Sequence, residues 1–152
     1  MLEEYASKML GFPLLAGFTL DGARMILESG EVKSYALGEV LFRERDPALF
    51  TQLVLDGKLQ VYIEREGQEL ILTELGSGTI LGELGVLCNI PRAASARALE
   101  PSTVLLWTAP EFRRLLVRYT QLSDRILSQS LRTLIEKEHS LINSLTTARA
   151  GA

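Results

Sequence analysis

"LVLDGKLQVYI", residues 53–63, decides the fold class. Asp56-Gly57 stands between two apolar runs, and an Asp-Gly pair so flanked is a strong short-range hairpin signal. Downstream of it Leu59, Val61 and Ile63 alternate with Lys58, Gln60 and Tyr62, the period-2 pattern of a strand with one buried face. Residues 53–63 are therefore expected to form a hairpin. Further turn signals stand at Glu66-Gly67 and Gly76-Ser77-Gly78. Turns spaced about ten residues apart between short strands indicate a small antiparallel barrel or jelly roll. "STVLLW", residues 102–107, reads as the last strand, with Trp107 in the core. A β region over 35–107 follows.

On either side the period changes to that of a helix. Leu20, Ala23, Ile26 and Leu27 repeat at helical spacing and Gly30 is a stop, so 1–30 reads as N-terminal helices. Thr108-Ala-Pro-Glu111 has the form of a capping box, opening C-terminal helices over 109–145. Within them Leu127, Leu131, Leu134, Glu138, Leu141 and Leu145 are spaced 4, 3, 4, 3, 4, a heptad seam with one charged member. Such a seam either pairs two copies in a homodimer or packs on its own β domain. "TTARAGA", residues 146–152, reads as a frayed tail. The class is α+β, mainly β, with a single domain over 1–145.

The length of 152 residues suits one domain, and 47% hydrophobic residues supply a substantial core. A net charge of −3 leaves no basic footprint for nucleic acid. The chain ends seven residues past Leu145, too short a stretch for a helix-turn-helix, so direct nucleic-acid binding is not expected. The single cysteine, Cys88, excludes an internal disulfide framework and makes a reducing cytoplasm the simplest setting. Cys88 itself reads as a small apolar filler. The acidic opening "MLEEYASKML" is not a secretory leader, and no apolar run of about 18 residues predicts a membrane span. His139 is the only histidine, which argues against a His/Cys metal site. "GSGTILG", residues 76–82, fails as a dinucleotide loop because Leu81 stands where the third glycine belongs. No nucleophile, base and orienting group occur together, so catalysis is not expected.

One segment does carry chemistry. "GELGVLCNIPRAA", residues 82–94, holds one acid and one base, Glu83 and Arg92, among small and apolar neighbours. A guanidinium presents a planar fork of donors that matches two phosphate oxygens. Gly82, Ala93 and Ala94 let a ligand approach the backbone amides. Glu83 would repel a phosphate, so its partner is a hydroxyl donor such as a ribose 2′-OH. The alternative is a Glu83–Arg92 salt bridge that closes a loop, and spacing alone does not choose between the two.

The longer string "LGELGVLCNIPRAAS", residues 81–95, closely resembles the phosphate-binding cassette of the cyclic-nucleotide-binding domain family: Gly-Glu-Leu, a short helix, then Pro-Arg-Ala-Ala. The likeness continues through "FPLLAGFTLDGARMI", "LGEVLFRERDP", "LVLDGKLQVYI" and "GSGTILGEL". It implies a β-roll (a double-stranded β-helix or jelly roll) with N-terminal helices and a long C-terminal helix. It also implies that Glu83 takes the ribose 2′-hydroxyl and Arg92 the cyclic phosphate, with Gly82, Leu84, Ala93 and Ala94 completing the anion site. Leu72, Thr73 and Leu81 resemble positions on the sugar and base side. Ala93 stands where members preferring cGMP often carry threonine, which favours cAMP. An ungapped alignment with bacterial members puts Lys137 and Glu138 where the helix meets the purine. Glu138 there would accept from the adenine 6-amino group, or else be a seam charge that sets register. Arg45 departs from the family, many of whose members have glycine in that turn. The expected function is a cyclic-nucleotide sensor, for cAMP before cGMP, that couples binding to movement of its C-terminal helix. The alternative is a nucleotide-free scaffold.

Overall fold

The computed structural model describes the backbone of residues 2–150 and the side chains of residues 2–147. Two helices, α1 (Leu2–Met9) and α2 (Leu20–Glu28), flank a 3-10 turn at Pro13–Leu15. Eight strands follow: β1 (Glu31–Tyr35), β2 (Val40–Phe42), β3 (Phe50–Asp56), β4 (Leu59–Arg65), β5 (Gln68–Leu75), β6 (Ile80–Leu81), β7 (Ser95–Ala98) and β8 (Ser102–Thr108). A short helix α3 (Glu83–Cys88) interrupts them between β6 and β7, and α4 (Ala109–Arg118) and α5 (Thr120–Ala150) close the chain. The β region thus begins at Glu31, before the expected 35. The expected tail is helical through Ala150, and its last residues, 151–152, lie outside the described residues.

The strands form two four-stranded antiparallel sheets, in the orders β1-β8-β3-β6 and β2-β7-β4-β5. This is the β-roll expected from the resemblance, flanked by helices at both ends of the chain. One expectation fails. β3 and β4 are not a hairpin: β3 pairs with β6 and β8, while β4 pairs with β5 and β7. Asp56-Gly57 carries the chain from one sheet to the other. Gly57 has φ 105, and the place a Cβ would take is filled by Ser102, whose Oγ accepts from Lys58 N at 3.2 Å. The true two-residue hairpin is at Glu66-Gly67, where both residues have positive φ and Arg65 pairs with Gln68.

Burial explains why the turn misleads. Leu53 and Leu55 of β3 face the helices, with Leu105 and Trp107 of β8, while Val54 and Val104 face the roll interior. A strand covered on both faces is apolar at consecutive positions, so it does not announce its partner. β4 is different: Leu59, Val61 and Ile63 all enter the core between the sheets. The second core, on the outer face of the β1-β8-β3-β6 sheet, gathers Met9, Leu15, Ile26, Trp107, Phe112, Leu122 and Ile126. Trp107 is core as expected, its Nε1 donating to Ser29 Oγ at 2.8 Å.

The capping box at the start of α4 forms. Thr108 N donates to Glu111 Oε1 at 3.0 Å and Glu111 N to Thr108 Oγ1 at 3.3 Å. α5 then lies along the roll and is fastened to its rim. Ile80 N donates to Gln129 Oε1 at 2.7 Å, and Gln129 Nε2 donates to Gly78 O at 3.2 Å. One side-chain amide therefore ties α5 to Ile80 of β6, a terminal strand of its sheet, and to Gly78 in the turn before it.

Candidate functional site

The 81–95 segment folds as a loop around α3. Gly82 caps the helix with φ 79, Asn89 ends it in the left-handed region, and Ile90 N donates to Gly85 O at 3.0 Å. A Cβ on Gly82 would lie 2.5 Å from Arg92 Nη1. This is why glycine precedes the acid: the guanidinium occupies the space a side chain would need.

Arg92 is 4% exposed and its charge is carried by several contacts. Nη1 donates to Gly82 O at 2.8 Å and Nη2 to Phe50 O at 2.6 Å. The guanidinium lies 4.2 Å from the Phe42 ring centroid and 5.1 Å from that of Phe50. Its Nε is buried with no protein partner. An unmet buried donor costs roughly 1–3 kcal/mol, more beside a charge. Burial pulls the Arg92 guanidinium below its ordinary pKa, against the opposing pull of Glu83 and Asp46.

The Arg92 backbone is clamped as firmly as its side chain. Arg45 N donates to Arg92 O, and Arg92 N donates to Asp46 O, both at 2.8 Å. Arg45 holds φ 77 in that turn. The departure from glycine, distant from the cassette in sequence, is therefore in direct contact with it.

Glu83, 5% exposed, opens α3 and lines the same cavity as Arg92. Among the described residues neither belongs to an ion pair within 4.0 Å, so the salt-bridge alternative is not what the two charges do. The cavity measures about 250 Å³. Gly82, Leu84, Ala93 and Ala94 line it with the two charges, as do Leu72 and Leu81. From α5, Lys137 reaches it together with Thr133 and Leu134. Burial lowers the Lys137 pKa, while the nearby Glu83 carboxylate pulls the other way.

Two expected residues are not part of this lining. Thr73 is turned toward α5, its Oγ1 3.5 Å from Glu136 Oε2. Glu138 is exposed, because one step of about 100° around the helix carries it off the face that holds Lys137. Cys88, expected as an apolar filler, is exposed at the end of α3. Thr133 was open to inference, since it precedes Lys137 by one turn. Phe42, which also lines the cavity, and Phe50 gave no such signal, because they come from separate strands.

The arrangement offers a buried cation with an unmet donor, an unpaired carboxylate and apolar walls, with a helix along one side. It suits an anion that also carries hydroxyls and an apolar ring. A family model described as "Cyclic nucleotide-binding domain" matches residues 25–119. The cAMP-dependent protein kinase regulatory subunit of Blastocladiella emersonii is 32% identical over 95 residues, 62% of this chain and 24% of that protein. The cyclic AMP receptor protein of Thermus thermophilus is 28% identical over 131 residues, 86% of this chain and 61% of that protein. The crystal structure of the Thermus thermophilus catabolite activator protein superposes with a TM-score of 0.73 at 26% identity, covering 89% of this chain and 63% of the other. The chain thus spans less than two thirds of these relatives. Among the described residues no helix is long and apolar enough to cross a membrane.

Proposed function

The chain belongs to the cyclic nucleotide-binding domain family, and on that premise we propose that it is a sensor for a cyclic purine nucleotide, cAMP before cGMP, in which binding is coupled to the seating of α5. The observation that carries this reading is the state of Glu83 and Arg92. Both are almost wholly buried on one cavity, and neither neutralises the other in an ion pair. Such charges are costly unless something completes them. A cyclic phosphate on Arg92 and a ribose hydroxyl on Glu83 do so with one ligand. Gly82, Leu84, Ala93 and Ala94 bring backbone close to the phosphate. Leu72, Leu81 and Phe42 offer apolar contact to sugar and base.

The preference for cAMP rests on Ala93, which offers no hydroxyl to a guanine amino group, and agrees with the names of the relatives above. Glu138 no longer contributes to it, since it faces away. Coupling is supported by the cavity's make-up: the cassette supplies one side and α5 the other. A ligand bridging both stabilises the seated helix only by its differential affinity for that state. The role is binding rather than catalysis, and a cytoplasmic setting fits the lone cysteine.

Isothermal titration with cAMP and cGMP tests the reading. Saturable binding of cAMP, tighter than cGMP, is expected. Arg92→Ala should weaken it by roughly a hundredfold or more, the loss of two charge-assisted bonds of about 1.5–3 kcal/mol each. Heat from neither nucleotide would favour the scaffold instead.

A further inference from the structure

A second concavity lies away from the cassette. Met25 and Ser29, at the end of α2, and residues of α4 through Tyr119 enclose a groove of about 640 Å³. None of its residues lines the cassette cavity. Arg113, Arg114, Val117 and Arg118 fall on one side of α4, opposite Phe112 and Leu115, which enter the core.

Three guanidiniums therefore border the groove against one carboxylate, in a chain whose net charge is −3. That carboxylate, Glu111, is committed to the capping box. Arg113 is held in place, its Nη2 donating to Val86 O at 2.8 Å. Arg118 ends the helix, where a cation suits the C-terminal dipole, and lies 5.6 Å from the Tyr119 ring centroid. Arg114 has no duty of either kind. Among the described residues none of the three belongs to an ion pair within 4.0 Å. Arg114 and Arg118 also stand four residues apart, a like-charge spacing that weakens a bare helix. Apolar groups are interleaved with these charges: Val117 is 81% exposed and Met25 44%. The Tyr119 hydroxyl, on the same lining, is buried with no partner.

A single small anion calls for converging donors, whereas Arg114 and Arg118 are about 6 Å apart along the helix axis. A nucleic-acid backbone has no use for the exposed valine and methionine. A peptide uses both. Its carboxylates meet the guanidiniums in forked pairs, and an apolar side chain between them covers Val117 and Met25.

We propose that the groove between α2 and α4 is a docking site for an acidic peptide segment carrying an apolar side chain, with Arg114 and Arg118 taking its carboxylates and Val117 and Met25 receiving that side chain. The inference stands apart from the cyclic-nucleotide reading, because groove and cavity share no residue.

The test selects displayed random short peptides on the full wild-type chain and counter-selects them on Arg114→Glu/Arg118→Glu, which removes peptides that bind elsewhere. The survivors should be rich in Asp and Glu around an apolar residue. A labelled synthetic copy, followed by fluorescence anisotropy, should bind wild type and lose about tenfold or more in the double variant. It should weaken likewise toward about 1 M salt, where the screening length falls to about 3 Å. Val117→Ser should also weaken it, and a copy with Asn and Gln in place of its acids should not bind. Arg114→Gln/Arg118→Gln repeats the comparison, and decides it where the reversed charges lower the melting temperature. No survivors, survivors without acids, or binding untouched by the neutral double variant would overturn the inference. So would a short DNA duplex that binds wild type as tightly as the peptide and loses as much in the same variants.

Discussion

At the scale of single residues, Arg92 is a buried cation whose surroundings hold it in place without any ligand. Two carbonyls, two aromatic rings and a reciprocal pair of backbone bonds restrain it. Only the last involves strain: Arg45 adopts φ 77 in the turn that clamps Arg92. A left-handed conformation costs a non-glycine residue roughly 1–2 kcal/mol, partly offset because glycine loses about 0.5–1 kcal/mol more on ordering. Arg45→Gly is therefore expected to raise stability by up to about 1 kcal/mol without weakening cAMP binding, as read from urea midpoints and titration. Glu83 and Arg92 stood out in the sequence as an acid and a base among small neighbours, but spacing alone left a salt bridge between them open, and only the resemblance of residues 81–95 to a phosphate-binding cassette favoured a shared ligand. Phe42 and Phe50 were not legible, because an aromatic residue in a strand reads first as core. Nor was the contact between Arg45 and Arg92, which exists only once two distant turns meet.

At the scale of elements, periodicity served well where one face of a segment is buried and poorly where both are. α2 showed its face and β4 most of its own, Tyr62 being buried on the opposite side, whereas β3, covered by helices on one side and by the roll on the other, did not. The Asp56-Gly57 turn signal was real, but a turn does not say whether the strands it joins will pair. The start of α4 was legible to the residue, since the capping box is a local hydrogen-bond pattern. It also makes a pH prediction. The Thr108 hydroxyl and N–H hold the Glu111 carboxyl below its ordinary value of 4.5. A folded-state pKa below the unfolded one means that the unfolded chain binds more protons in between, so the contribution is full above the ordinary value and is lost as pH falls through the lowered one. The stability difference between wild type and Glu111→Gln should therefore be greatest near neutral pH and narrow on acidification below about 4.5, measured by urea unfolding at several pH values. The seam of α5 divides. Leu141 packs toward the roll and Leu134 borders the cavity, while Glu138 and most of the leucines look outward.

At the scale of the whole molecule, that outward face is an apolar surface left uncovered among the described residues. Leu127, Leu131, Ile135, Ile142 and Leu145 are each about half exposed along one side of α5. Apolar side chains repeated at this spacing suit a second copy of the same helix. Equilibrium sedimentation is expected to show a dimer at micromolar concentration and a monomer for Leu131→Glu, with cAMP binding largely kept, since Leu131 does not line the cavity. The grip of Gln129 on Gly78 and Ile80 has its own consequence at this scale. An unshielded sheet border invites a stray strand from a neighbouring molecule. Here Gln129 occupies the Ile80 amide on that border, so α5 also shields the β6 edge of the roll against strand addition. A version cut short before Gln129 is expected to lose that shield and to aggregate more readily than the full chain, as light scattering would read.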